Sequence, residues 1–337
     1  MITNKQVNFD LNNIFPNYIT NEFLFPLDSY LSFLEGLSLS PQPFFYKWSN
    51  HDRQSIVNNY WKPNTKLDWK WSLSFPLFSL LEKYINNNNN PKIIGFSGLP
   101  GSGKSTLGIW IDNVASDLNL DIKVISLDDF YLPGKEMDVA MRGNPWNVPR
   151  GFPGSHSIEL LNTALDHFLK TGVLNSPSFD KSLRDGKGDR STWSQFMPKV
   201  LILEGWFVGC NPIPDLNLID NVLDDRLNLG LSILEKEYRR SIQQSLKVYA
   251  QIWDKFDKIW HLRSSNFNNT VLWKTQQEEE MIQLKGTGLK DKRLSDFIRM
   301  IQTSIPQQSL SSIKSDTRIE INQHRRIKDL YTSTYLF

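Results

Sequence analysis

The sequence is poor in cysteine, in long apolar runs and in net charge. It has one cysteine, Cys210, in 337 residues, which excludes an intrachain disulfide and a zinc site built on several cysteines and is typical of a reducing compartment. No apolar run approaches the roughly 20 residues that span a bilayer. Residues 1–15 lack the basic and apolar stretches of a secretory signal. We therefore expect a cytoplasmic protein without a membrane partner.

The charges of the chain nearly cancel. The sequence has 38 Lys and Arg residues against 36 Asp and Glu residues, a formal net charge of +2. A balance this close to neutral does not favour a nucleic-acid partner. Apolar residues make up 39% of the chain and charged residues 22%, which is ordinary for a globular protein. At 337 residues we expect one large domain with an appendage, or two domains.

The most informative segment reads KIIGFSGLPGSGKST over residues 92–106. Within it, residues 98–105 fit the P-loop pattern GxxxxGK[ST] at every position. The apolar run before the glycines predicts a buried strand, and the pattern from Thr106 onward predicts a helix. A strand, a glycine-rich turn and a helix N-terminus form a phosphate site, because backbone N–H groups and the helix dipole face the anion there. A chance match in a glycine-rich turn would lack this context.

The P-loop predicts a site for a nucleoside triphosphate, with ATP and Mg²⁺ as ligands. Lys104 is expected to reach the β- and γ-phosphates as a catalytic residue, and the Ser105 hydroxyl is expected to ligate Mg²⁺. The residues expected to bind the ATP phosphates are Gly98, Leu99, Pro100, Gly101, Ser102, Gly103, Lys104, Ser105 and Thr106.

Strands and helices alternate along the rest of the chain. Apolar runs predict buried strands at 93–96, 122–127, 200–203, 259–262 and 318–321. Helical spacing of apolar residues predicts helices at 157–170, 231–253, 270–284 and 291–304. This alternation predicts an α/β fold, a P-loop NTPase of three layers, α/β/α, with a mostly parallel central sheet.

A helical extension is predicted before the P-loop domain. Residues 1–85 look helical but are interrupted by prolines. The tract Asn86–Asn90 is polar and is followed by Pro91, so it marks a boundary. We predict an N-terminal helical extension at 1–90 and a P-loop domain at 91–337.

Carboxylates follow two of the predicted strands. Asp128 and Asp129 come after the strand at 122–127, and Glu204 follows the strand at 200–203. Ligands bind at the carboxyl ends of parallel strands, and a kinase needs a carboxylate that orients the acceptor hydroxyl and takes its proton. We assign Asp128 to that catalytic role and Glu204 to Mg²⁺. Asp129 is an outer Mg²⁺ ligand or the N-cap of the following turn, and we favour the cap. For Asp128 the alternative is a turn or cap residue.

A long polar region at 132–195, with one predicted helix, carries many cationic or titratable side chains. They are Arg142, Arg150, His156, Lys181, Arg184, Lys187 and Arg190. Such a set could bind a small anionic substrate, because arginine offers two parallel N–H groups to a carboxylate, or could neutralise charge on the transferring phosphoryl group. A solvated loop with ordinary surface charge is the alternative. We expect Arg184 and Lys187 to be merely exposed.

Several motifs resemble a known group of kinases. The P-loop, the strand end S-x-D-D-F-Y at 126–131 and the strand L-x-L-E-G at 201–205 resemble the uridine kinase, pantothenate kinase and phosphoribulokinase superfamily. Within it, RGFPGSH at 150–156 and DKSLRDGKGDR at 180–190 are similar to the D-glycerate 3-kinases of plants, fungi and cyanobacteria. Later pieces that are similar to this family are Tyr249, Trp253–Phe256, Trp273, Gln277–Glu278 and Gly286–Leu289.

The resemblance implies the reaction ATP + D-glycerate → ADP + 3-phospho-D-glycerate, a salvage step of photorespiration. It implies that Asp128 is the base near the 3-hydroxyl of glycerate. The residues implied to bind the substrate are Asp128, Arg150, His156, Asp180, Lys181 and Arg190. Glycerate is small and carries a carboxylate, so fixed cations suit it better than aromatic stacking.

Two features depart from this resemblance. Lys274 follows Trp273 where an arginine is expected, and the first 90 residues have no counterpart in the smaller kinases of the superfamily.

Two alternative functions stay open. The chain could be another kinase of the superfamily, with uridine, pantothenate or a sugar phosphate as acceptor. It could also be a nucleotide-binding regulator without turnover, although the predicted base and metal ligands are intact. Glu204 is followed by Gly205 and Trp206, so no neighbouring acid activates water, which favours transfer to a bound substrate over hydrolysis.

Overall fold

A mostly parallel sheet of six strands forms the centre of the computed structural model, which describes residues 17–87, 90–219, 230–264, 266–286 and 288–333. The described strands are β1 (Lys92–Gly98), β2 (Ile122–Ser126), β3 (Leu174–Asp180), β4 (Asp189–Phe196), β5 (Val200–Gly205), β6 (Lys258–Ser264), β7 (Thr317–Ile321) and β8 (Ile327–Thr332). The sheet has the order β2-β5-β1-β6-β7-β8, and β8 runs antiparallel to β7. The strands β3 and β4 form a separate antiparallel hairpin.

The described α-helices surround this sheet. They are α1 (Asn17–Thr20), α2 (Leu27–Gly36), α3 (Pro41–Ser49), α4 (His51–Asn58), α5 (Leu67–Trp69), α6 (Phe75–Asn87), α7 (Lys104–Asp117), α8 (Gly134–Ala140), α9 (Ile158–Thr171), α10 (Ile233–Trp253), α11 (Asn269–Lys285), α12 (Asp291–Thr303) and α13 (Gln307–Ser311). A π-helical turn at Lys70–Ser74 joins α5 to α6, and 3₁₀ turns lie at Leu127–Phe130 and Leu216–Ile219. No helix in these described ranges is long and apolar enough to span a bilayer.

The two central strands are buried on both faces. β1 reads KIIGFSG and β5 reads VLILEG, and every residue of β5 is buried. Continuous apolar runs of this kind are typical of parallel strands that are covered by helices on both sides. On one face of the sheet Phe33 of α2 packs edge-on against Trp260, and on the opposite face Phe256 lies against Gly95. The predicted three-layer α/β/α fold is confirmed.

All predicted strands and helices after residue 91 fall on observed elements. The expectation of a single helix within 132–195 is wrong, because that region also contains α8 and the β3–β4 hairpin. β4 is exposed along most of its length, so it lacks the apolar alternation from which a strand can be predicted. β8 is a further strand that the sequence analysis did not predict.

The helices before the sheet share its apolar core. Trp110 of α7 stacks on Trp61 with 4.5 Å between ring centroids, and its Nε1 donates to the Val57 carbonyl at 3.1 Å. Phe78 of α6 packs edge-on against the same Trp110 ring. The domain boundary at residue 90 stays a prediction. Parts of the predicted extension and boundary lie outside the described residues, namely 1–16, Asn88 and Asn89.

A buried carboxylate joins the N-terminal helices to the β7–β8 hairpin. Asp68 is fully buried, and its Oδ2 accepts hydrogen bonds from Arg326 Nε at 2.7 Å and from the Ile327 backbone N–H at 3.0 Å. Its Oδ1 accepts from the Trp69 backbone N–H at 2.9 Å. A buried charge is tolerated only when it is paired and hydrogen-bonded in this way.

We predict that Asp68→Asn lowers the free energy of unfolding by about 3 kcal/mol, because it leaves the Arg326 guanidinium without its buried counter-charge. Urea denaturation followed by fluorescence measures this change. The matched control is Asp52→Asn, in the same N-terminal segment, whose side chain is 95% exposed. Equal urea midpoints for the two variants would contradict a stabilising role for the Asp68 contacts.

Candidate active site

The P-loop is a turn between β1 and α7 that requires glycine at two positions. Gly101 has φ +74° and Gly103 has φ +107°, in the left-handed region that disfavours side chains. A Cβ on Gly101 would lie 2.8 Å from the backbone of Trp273, and a Cβ on Gly103 would lie 2.9 Å from the ring of Trp69. The other predicted phosphate residues lie at the end of β1 (Gly98), in the turn (Leu99, Pro100 and Ser102) and in the first turn of α7 (Thr106).

The P-loop lysine and serine lie at the start of α7, beside the end of β5. Lys104 is buried and its Nζ donates to the Leu99 carbonyl at 3.1 Å, and burial lowers the pKa of its ammonium. The Ser105 hydroxyl donates to Glu204 Oε1 at 2.9 Å. β1 and β5 are direct neighbours in the sheet, which brings the serine and the carboxylate together at the carboxyl ends of the strands.

The donor chemistry of Ser105 and Glu204 fits Mg²⁺. Both residues present oxygen atoms, which this hard cation prefers, and Mg²⁺ commonly takes one or two protein oxygens together with waters and substrate phosphates. In the part of the chain that the structure describes, no cluster of three or more His, Cys, Asp or Glu side chains could hold a metal by itself.

Asp128 lies at the end of β2, in a 3₁₀ turn that is capped locally. The Ser126 hydroxyl accepts from the Asp128 backbone N–H at 3.3 Å, and Asp129 Oδ2 accepts from the Ser126 backbone N–H at 3.1 Å. Asp129 therefore takes part in capping this turn, as the sequence analysis favoured, but from the N3 position of a capping box whose N-cap is Ser126. The capping box fixes the backbone of the turn and leaves the Asp128 carboxylate free for other partners.

A short ion pair joins Asp128 to the β3–β4 hairpin. Lys181 follows β3 directly, and its Nζ lies 2.6 Å from Asp128 Oδ2. The Tyr131 hydroxyl also hydrogen-bonds to the Asp128 carboxylate. Burial by itself would raise the pKa of Asp128, but the Lys181 ammonium and these hydrogen bonds hold it well below its usual range. Asp128 is therefore ionised at neutral pH.

His156 lies against the same group of residues. Its ring stacks on Tyr131 with 4.4 Å between centroids, and its Nδ1 lies 2.7 Å from the Tyr249 hydroxyl. Burial lowers the pKa of His156 to about 4, although the charge of Asp128 acts in the opposite direction. The imidazole is therefore neutral at physiological pH.

The remaining predicted substrate residues make contacts within the hairpin region. Arg150 Nη1 donates to the carbonyls of Gly186 and Lys187, and Arg190 Nε donates to the Tyr131 carbonyl at 3.1 Å. The Asp180 carboxylate accepts from the backbone and hydroxyl of Ser182, so it shapes the turn that carries Lys181. The structure brings Asp128 and Lys181 into direct contact and places His156 beside Tyr131, near enough to interact electrostatically with both. Arg150, Arg190 and Asp180 bond to the surrounding loops.

The expectation that Arg184 is merely exposed is wrong, because Arg184 is partly buried and forms an ion pair with Asp138 of α8. This pair ties the hairpin loop to α8. Lys187 is exposed as expected, and Arg142 is exposed as well.

Lys274 adds a third lysine close to the site. It is buried, forms an ion pair with Glu278 and lies 4.9 Å from the centroid of the Phe297 ring. Burial lowers the pKa of Lys274, and its charge interacts with those of Lys181 and Asp128. Lysine thus supplies a cation at the position where the resemblance implies arginine.

Two residues outside the predicted set contact the P-loop. Arg325, in the β7–β8 turn, donates through Nε to the Gly101 carbonyl at 2.8 Å, and its guanidinium lies over the Trp273 ring. Trp69, from the N-terminal helices, donates through Nε1 to the Arg325 carbonyl and faces Gly103. No local motif marks either residue, since each reaches the P-loop across a long sequence separation.

Comparison with known proteins places the chain among kinases. No protein-family model matches it. It is 30% identical over 260 residues to the uncharacterized kinase mug58 of Schizosaccharomyces pombe, a match that covers 74% of this chain and 91% of that protein. It is 30% identical over 222 residues to the chloroplastic D-glycerate 3-kinase of Arabidopsis thaliana, with 62% of this chain and 45% of that protein covered.

A solved structure agrees with these sequence matches. The D-glycerate 3-kinase from Cryptococcus neoformans var. grubii superposes with a TM-score of 0.63 at 23% identity, over 84% of this chain and 100% of that one. The fold and the sequence matches define an ATP-dependent P-loop kinase. The chain belongs to the family of P-loop kinases that includes mug58 and D-glycerate 3-kinase.

We predict that Gly103→Ala weakens the binding of a fluorescent ATP analogue at least about 10-fold, because a side chain at this φ is strained by about 1–3 kcal/mol and collides with the Trp69 ring. Far-UV circular dichroism checks that the variant is folded. The control is Gly172→Ala, at φ +75° with no atom within 4 Å of the added Cβ. Equal ATP-analogue affinity in both variants would show that the P-loop tolerates the side chain.

Proposed function

We propose that the enzyme transfers the γ-phosphoryl group of ATP to the 3-hydroxyl of D-glycerate. The observation that carries this proposal is the ion pair of Asp128 and Lys181, next to a P-loop and a buried neutral histidine. A carboxylate that stays ionised can orient an alcohol, and a neighbouring ammonium can bind an anionic acceptor. Relatives that are named D-glycerate 3-kinases support the choice of acceptor.

The nucleotide end of the reaction uses the P-loop. In the proposal, residues 98–106 surround the ATP phosphates and supply backbone N–H groups, which Pro100 lacks, and Lys104 neutralises charge between the β- and γ-phosphates. Ser105 and Glu204 would hold Mg²⁺, which supplies further charge neutralisation at the phosphate oxygens when it is bound. Because phosphoryl transfer has a loose transition state, positioning and charge provide most of the rate.

The acceptor end uses Asp128 and its neighbours. Asp128 accepts a hydrogen bond from the reacting hydroxyl, orients it, and receives its proton as the bond to phosphorus forms. Lys181, His156, Arg150 and Arg190 provide donors for the acceptor and for the phosphoryl group, and Asp180 holds the Lys181 turn. We further propose that a glycerate carboxylate competes with Asp128 for the Lys181 ammonium when the acceptor binds.

The cellular role follows from the same resemblance. We propose a cytoplasmic enzyme, active on a small molecule, that takes part in photorespiratory glycerate salvage. Residues 1–90 would form an extension to the kinase domain at 91–337, and the contact of Trp69 with the P-loop supports a part for this extension in nucleotide binding.

The proposed reaction is tested by ADP release from Mg-ATP with D-glycerate, uridine, pantothenate, ribulose 5-phosphate or no acceptor. We expect release with D-glycerate alone. Release with another acceptor would keep the kinase fold and overturn the assigned substrate. ATP binding without stimulation by any acceptor in the panel would contradict the proposal and favour a regulator.

We predict that Asp128→Asn lowers kcat by about 10² or more while the KM for ATP stays nearly unchanged, because the amide neither takes the proton nor carries the charge. Steady-state kinetics at saturating acceptor measures this. Asp129→Asn is the matched control, since its amide oxygen can still accept from the Ser126 N–H, and we expect it to keep most of its turnover. Near-full activity of Asp128→Asn would exclude Asp128 as the base.

A second prediction concerns the pH profile. Lys181 holds the pKa of Asp128 low, so kcat/KM of the wild type should stay flat as the pH falls from about 8 to about 5. Lys181→Met removes the ammonium, and burial then raises the pKa of Asp128, so the acid limb should move toward neutral pH. Lys187→Met, at an exposed lysine of the same loop, is the control. An unchanged acid limb in Lys181→Met would contradict the assigned electrostatics.

A further inference from the structure

The His156 ring is held in one orientation by its neighbours. Only 4% of the residue is exposed. Tyr131 stacks on one face of the ring, and the rings of Phe207 and Tyr249 pack against it at 65° and 89°. A ring that is fixed in this way presents each of its two nitrogens to one set of partners, so the tautomer decides what the site can bind.

The hydrogen bonds of the Tyr249 hydroxyl determine that tautomer. This oxygen accepts from the Gly154 backbone N–H at 3.2 Å. A phenol oxygen has two lone pairs and one hydrogen. Among the described residues, the one acceptor within hydrogen-bond distance of the Tyr249 hydrogen is His156 Nδ1, 2.7 Å from the phenol oxygen. Nδ1 is then an acceptor and carries no proton.

The opposite tautomer has no satisfactory partner. With a hydrogen on Nδ1, the buried Tyr249 hydroxyl would have to accept from it, and the Tyr249 hydrogen would lose its acceptor. The nearby Ser155 Oγ lies 3.5 Å from Nδ1, which is too long for a good N–H···O hydrogen bond. Burial keeps the imidazole neutral, with a pKa of about 4. Its single ring hydrogen therefore resides on Nε2.

Nε2 is buried and makes no hydrogen bond within the described ranges 17–87, 90–219, 230–264, 266–286 and 288–333. A buried N–H without an acceptor costs free energy. Such a group in a binding site therefore indicates that an atom of the ligand accepts its hydrogen bond. The ring interacts electrostatically with Asp128 and Lys181, the two residues that we assign to the acceptor.

We propose that His156 Nε2–H is a neutral hydrogen-bond donor to an oxygen of the acceptor next to the reacting hydroxyl, and that Tyr249 is the positioning residue that keeps the proton on Nε2. The inference rests on the proposed function for the identity of the acceptor. A neutral donor fixes the acceptor without adding a further cation to the lysines and arginines of the site. It also leaves Asp128 as the group that receives the proton.

The tautomer can be measured without turnover. The chain has five histidines, and nitrogen-15 histidine labelling with two-bond correlation NMR distinguishes a protonated from an unprotonated ring nitrogen. The His156 signals are assigned by their loss in His156→Gln. We expect a protonated Nε2 and an unprotonated Nδ1 at neutral pH. A proton on Nδ1, or an imidazolium, would overturn the proposal even if D-glycerate is the acceptor.

The donor role of His156 is tested by two substitutions whose amide N–H groups lie near different nitrogens of the original ring. Gln at position 156 puts an N–H near the Nε2 position, whereas Asn puts it near Nδ1. We expect His156→Asn to raise the KM for the acceptor about 10-fold, the effect of one lost hydrogen bond, and His156→Gln to raise it much less. The KM for ATP should stay unchanged in both, which also shows that the variants are folded.

The positioning role of Tyr249 has a matched control on the same helix. Tyr249→Phe removes the hydroxyl that selects the tautomer, so the acceptor KM should rise several-fold and the NMR signals of His156 should shift toward a mixture of tautomers. Tyr238→Phe, also in α10, removes a hydroxyl that contacts the Ala140 carbonyl and should change neither. Equal effects of Tyr249→Phe and Tyr238→Phe would overturn the proposal. So would an equal KM for the acceptor in His156→Asn and His156→Gln. If no acceptor in the panel reacts, the proposed function fails while the NMR result still decides the tautomer.

Discussion

The ion pair between Asp128 and Lys181 is the interaction on which the acceptor side of the site depends. It joins the carboxyl end of β2 to the loop of the β3–β4 hairpin, two elements that share no strand pairing. The hairpin is thereby held over the edge of the sheet where the P-loop also lies. The same contact keeps the Asp128 carboxylate charged inside the protein, where burial alone would favour the neutral acid.

The balance of charge in the site suits an anionic ligand. Lys181 and Lys274 form ion pairs with Asp128 and Glu278, whereas the buried Lys104 ammonium donates to the Leu99 carbonyl. Burial and the charges of Lys181 and Lys274 lower the pKa of Lys104. In the proposed reaction, the nucleotide phosphates bring negative charge to this ammonium. Fixed cations that already face the transferring phosphoryl group need little rearrangement during the reaction. This preorganisation is the main source of electrostatic catalysis.

The sequence predicts those features that depend on residues close together in the chain. The P-loop, the carboxylates at the ends of β2 and β5, and the capping role of Asp129 all follow from local patterns, and parallel strand ends bring them to one edge. The contacts of Trp69 and Arg325 with the P-loop join distant segments, so no local pattern could reveal them. The β4 strand was missed because solvent exposure removes its apolar alternation, and Arg184 was misjudged because Asp138 lies in a helix that was not predicted. The hydrogen bond of Tyr249 to His156 likewise needs the three-dimensional structure.

Phosphorus NMR of the product tests the central claim most directly. The protein is incubated with Mg-ATP and D-glycerate, and the new phosphomonoester is examined for coupling to the protons of the carbon that bears it. The account predicts a product phosphorylated at C3, whose phosphorus couples to two methylene protons, formed in equal amount with ADP. A product phosphorylated at C2, or inorganic phosphate as the sole product, would contradict the account.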